Sequence, residues 1–79
     1  MMRERDIPLQ SLRDAVHGMA RRFRTSQVWE ANREFVRPTE EYTYRKLVGR
    51  MLSKHSGELG IRLLSTSRVS GQGREWERT

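Results

Sequence analysis

The sequence predicts a mainly helical α+β domain: three helices followed by a C-terminal β-hairpin. Three observations predict it. Apolar residues recur at spacings of three and four from Pro8 to Phe23 and again from Thr39 to Lys54. After Gly60 the apolar period drops from about 3.6 residues to about 2. Between the two alternating segments, Ser70-Gly71-Gln72-Gly73 supplies the residues that a tight turn demands.

Residues 1–7 read as a charged, flexible lead-in, and 8–79 as a single small domain. In the first helix Leu9, Leu12, Val16, Met19 and Phe23 form an apolar stripe, with Ala15 and Ala20 beside it. Ser11 and Asp14 have capping-box spacing, and Pro8 suits the first turn. Thr25 or Ser26 caps a second, shorter helix that runs to about Val36. Val28, Ala31, Asn32 and Phe35 share one of its faces, and Trp29 and Val36 lie at the margin. Pro38 ends this helix, because the residue before a proline is pushed out of helical geometry.

Thr39 caps the third helix, with Glu40 and Glu41 at its positive end. Tyr44, Leu47, Val48, Met51 and Leu52 make a full core stripe. Thr43, Lys46, Arg50 and Lys54 lie opposite, with Tyr42, Arg45 and Gly49 at the edge. Gly57 supplies a left-handed stop. Two alternating strands follow, around Ile61–Thr66 and Arg74–Arg78, and Trp76 anchors them to the helices. The expected core is Leu12, Val16, Met19, Phe35, Leu47, Val48, Met51, Leu52, Leu63 and Trp76.

Seventy-nine residues allow one domain with a small core. The absence of cysteine removes disulfides and thiolate metal sites, and with only His17 and His55 no metal or cofactor is expected. No apolar run reaches the roughly 18 residues of a membrane span, and no secretory signal is readable, so a cytoplasmic location is expected. Sixteen basic residues face ten acidic ones, a formal net charge of +6, and all but Lys46 and Lys54 of the sixteen are Arg. Arginine binds phosphate bidentately and stacks on bases, and the excess charge attracts polyanions. A GC-rich coding sequence gives the same arginine bias with no meaning for the protein.

The stretches Tyr44-Arg45-Lys46-Leu47-Val48-Gly49-Arg50-Met51-Leu52, Gly60-Ile61-Arg62-Leu63 and Gly73-Arg74-Glu75-Trp76 resemble the C-terminal half of winged helix-turn-helix domains, as found in small phage and plasmid proteins. By element order the resemblance covers roughly 8–78. It implies that helix 39–54 is a recognition helix, with Tyr42, Thr43, Arg45, Lys46, Arg50 and Lys54 toward DNA and a wing carrying Arg68 and Arg74 on the backbone.

Each feature also has a plainer explanation. The polar side of helix 39–54 reads equally as a solvated face, and Arg68 and Arg74 as protection of a strand edge. Arg21, Arg22 and Arg24 either grip phosphates or decorate a dipole-favoured helix end. Neither histidine has catalytic company, and helix capping and cross-strand balance account for the paired glutamates, so no enzyme is expected. Duplex DNA is the favoured partner, with RNA a weaker option. The alternative is a phage- or mobile-element-encoded interaction factor that docks on an acidic host protein or ribonucleoprotein. In that case Trp29 and Val36 form the interface, with a host protein or a second copy.

Overall fold

A computed structural model of the chain describes residues 1–33, 36–65 and 74–79. Among these residues four helices, α1 Leu9–His17, α2 Thr25–Ala31, α3 Glu41–Lys54 and α4 Ser56–Leu59, pack on a sheet of three antiparallel strands. The strands are β1 Arg22–Arg24, β2 Ile61–Ser65 and β3 Glu75–Arg78. The expected α+β class is found, but the C-terminal pair is completed by a strand between the first and second helices. The expected turn at Ser70–Gly73, with Phe35 and Arg68, lies outside the described residues. Among the described residues no helix is long and apolar enough to cross a membrane.

Sheet order is β1-β3-β2, so the last strand is central. Arg22 pairs with Glu77, Phe23 with Trp76 and Arg24 with Glu75 on one side; Ile61 pairs with Arg78, Arg62 with Glu77 and Leu63 with Trp76 on the other. Alternation along each strand sends Phe23, Trp76 and Ile61 into the core, and Arg22, Arg24, Arg62, Glu75 and Glu77 to the opposite face. The helix expected to run to Phe23 stops at His17. Gly18 disfavours helix by about 1 kcal/mol relative to Ala, and pairing with β3 satisfies the backbone beyond it, as Arg78 N donates to Arg21 O at 2.9 Å. Phe23 is buried in consequence.

The second helix is likewise shorter than expected, ending at Ala31, and Arg24 rather than Thr25 or Ser26 is its N-cap, its amide donating to Gln27 Oε1 at 2.7 Å. Pro38–Glu40 forms a 3-10 turn before α3, with Arg37 extended ahead of the proline as sterics require. Helix α3 therefore starts at Glu41 and not at a Thr39 cap. One turn of helix, α4, follows and buries Leu59. Gly60, not Gly57, takes the left-handed conformation (φ 68°) that turns the chain into β2.

One core joins all the elements: Leu12 and Val16 from α1, Val28 and Trp29 from α2, Tyr44, Leu47, Val48, Met51 and Leu52 from α3, with Ile7, Phe23, Leu59, Ile61 and Trp76. Met19 packs against it half-buried. Leu63, expected inside, is 39% exposed, because it sits on an edge strand where the register continues but the helices no longer cover it. The lead-in is also not free. Glu4–Asp6 makes a 3-10 turn, Asp6 accepts the Arg3 amide at 2.8 Å, and Ile7 is buried.

Candidate nucleic-acid interface

Helix α3 buries one stripe and exposes another. Tyr42, Lys46, Arg50 and Lys54 recur every fourth residue, so they stand one above the next along the helix. Tyr42 is 66% exposed, and the Lys46 ammonium lies 4.5 Å from its ring centroid. Among the described residues neither Lys46 nor Arg50 has a carboxylate within ion-pair distance, whereas Lys54 pairs with Glu4 at 3.5 Å. Thr43 is half-buried at the edge of the stripe.

The lead-in forms the far bank of this stripe. Arg3 and Arg5 line a groove of about 630 Å³ together with Tyr42, Lys46, Arg50 and Lys54. Burial of Ile7 and packing of Met2 on the core hold the segment there, and the Glu4–Lys54 pair ties it to the helix. The groove is a feature that helical periodicity could not reveal. Its one sequence signal is Ile7, an apolar residue between a charged run and a proline.

Arg45 is directed elsewhere. Its guanidinium stacks 4.1 Å above the Trp29 ring and donates to Glu41 Oε1 at 2.9 Å, and Glu41 also pairs with Arg33 at 3.3 Å. Trp29 is itself only 6% exposed beneath Arg45, and Val36 packs half-buried against the core, so neither stands as an open apolar margin. Arg74 leads into β3 and donates to Ser53 Oγ at 3.3 Å, which sets it beside the C-terminal end of α3. Arg68 lies outside the described residues.

Two acids have displaced protonation equilibria. The Tyr44 hydroxyl is buried with no hydrogen-bond partner at bonding distance among the described residues. Burial pushes its pKa up to about 12, with the Asn32 side chain acting in the opposite direction. Glu77 is held below the usual glutamate range, first by the hydrogen bonds from Arg62, against the opposing cost of burial, and further by Arg22 and Arg21.

The histidines stand apart. His17 offers its carbonyl to Arg78 Nη1 at 3.2 Å, while His55 Nδ1 lies 3.1 Å from Glu58 Oε1. No group of three or more potential metal-ligating side chains occurs among the described residues. No protein-family model, curated protein or solved structure matches this chain.

Proposed function

We propose that the chain is a small nucleic-acid-binding protein of the winged helix-turn-helix type, holding duplex DNA on the exposed stripe of α3. One observation carries this reading: Lys46 and Arg50 stand one turn apart with no acidic partner among the described residues, in a groove that also gathers Arg3, Arg5 and Lys54. Side chains so placed enter a major groove together, and a free guanidinium there can take a guanine edge bidentately. The strand between α1 and α2, paired with the last strand, supports the winged architecture. Arg74, beside the end of α3, is suited to phosphate contact.

The test is duplex binding by anisotropy across a salt series. Lys46→Ala or Arg50→Ala is expected to weaken binding by about 1–3 kcal/mol and to blur sequence preference. Arg74→Ala is expected to weaken all duplexes alike and to lower the salt slope by about one unit. Equal affinity of wild type and the combined Lys46→Ala/Arg50→Ala/Arg74→Ala variant for duplex DNA rejects the reading and leaves docking on an acidic protein as its successor.

A further inference from the structure

On the sheet face away from the helices Arg22, Arg24 and Arg62 are exposed, and Glu77 lies buried among them on the central strand. Three guanidiniums surround this carboxylate. Arg62 donates to Oε1 through Nη2 at 2.6 Å and Nε at 3.0 Å, while Arg22 and Arg21 approach Oε2 with Nε at 3.4 and 3.7 Å. The next row along the strands holds Arg24, 3.1 Å from Glu75. The Glu77 side chain is only 7% exposed, whereas those of Arg21 and Arg22 are each 73% exposed. Four cations thus face two anions on one side of the sheet.

The inner charge organises the outer ones. A guanidinium carries five N–H donors, and Arg21 and Arg22 turn their Nε toward Glu77, so their terminal nitrogens have no bond to protein groups among the described residues. Anchoring on a shared carboxylate lowers the entropy that these side chains lose when they take a ligand. Fold stability alone does not require the third guanidinium, since Arg22 and Arg62 already flank Glu77 on the neighbouring strands.

We propose that this sheet face is a second nucleic-acid surface, one that takes the phosphodiester backbone independently of α3. Phosphate is the ligand for which exposed guanidinium forks are shaped. Phe23 and Trp76 point into the core, so among the described residues the face has no aromatic platform for bases, and its contacts are indifferent to sequence. The absence of an aromatic side chain on this face among the described residues equally disfavours a peptide, which would need one to gain affinity beyond charge.

The experiment uses a random-sequence duplex, a salt series and the full chain, with Arg21→Gln/Arg22→Gln placed in wild type and in a Lys46→Ala/Arg50→Ala background. Arg62 continues to pair with Glu77 in the double glutamine variant, and thermal melting checks the fold. The background protein is expected to retain duplex binding, and the glutamines to reduce its log–log salt slope by about 1.8, the value for two lost phosphate contacts. Glu77→Gln, which keeps every cation, is expected to bind with a slope at least as steep as wild type. The proposal is overturned if the background protein has no residual duplex affinity, or if the glutamines leave the slope unchanged. It is also overturned if an oligoglutamate peptide binds the face while duplex does not. Loss of binding through Arg21 and Arg22 with none through Lys46 and Arg50 would sink the α3 reading and leave this one standing.

Discussion

The indole N–H of Trp76 donates a 2.8 Å hydrogen bond to Thr25 Oγ1, deep inside the molecule, joining the central strand to the first turn of α2. Thr25 also donates its amide to Arg74 O at 3.1 Å, so a single residue holds the strand by both backbone and side chain. Thr25→Val keeps the shape but leaves a buried indole donor unpaired, at an expected cost of about 1–3 kcal/mol. Thr25→Ser retains the bond and loses one methyl, about 1 kcal/mol. Denaturant midpoints measure both, and a Val variant as stable as the Ser variant would refute the assignment.

Tyr44 makes stability sensitive to alkali. Its pKa rises from 10.0 in the unfolded chain to about 12 in the fold, so the neutral phenol is the folded form. Its contribution is complete below the lower value and is lost as pH rises through the upper one. Tyr44→Phe removes that loss. At neutral pH the same change is expected to alter stability by less than about 1 kcal/mol, because the hydroxyl it deletes has no partner at bonding distance among the described residues. Parallel alkaline unfolding curves for the two proteins would contradict this.

Glu77 works in the opposite direction. Its folded pKa is lowered, chiefly by Arg62, so its stabilisation is present at neutral pH and fades as pH falls through the folded value, below the ordinary glutamate range. Glu77→Gln is expected to be less stable than wild type at neutral pH and to converge with it in acid. Chemical denaturation followed down the pH scale provides the comparison, and a difference that grows on acidification would be the wrong sign.

Arg45 is expected to separate stability from binding. Stacked on Trp29 and paired with Glu41, it ties α3 to α2 and does not line the groove. Arg45→Ala should cost about 1–2 kcal/mol through lost stacking and packing. Lys46→Ala and Arg50→Ala, on the exposed stripe, should leave the melting temperature within the error expected of surface changes. A thermal melt of each variant beside its duplex affinity tests the division of roles.

Sequence alone determined whatever was local and periodic. Helix α3 was legible to within two residues of its start because Tyr44, Leu47, Val48, Met51 and Leu52 all answer to one helical period, and the same period set Lys46 and Arg50 on the opposite side. The switch to strand after Gly60 was equally readable from alternation. Tertiary structure decided the rest. Arg22-Phe23-Arg24 is too short to announce a strand and becomes one only by pairing with residues more than fifty positions later, which also cuts α1 short at Gly18. Trp29 reads as marginal on its own helix and is buried because Arg45 closes over it; Leu63 alternates correctly and is exposed because it falls on a sheet edge. The lead-in reaches the groove through Ile7, and Glu77 gathers its three arginines from two distant stretches of chain. Periodicity records which side of an element is apolar, but what each side meets depends on contacts between segments distant in sequence, and those exist only once the chain has folded.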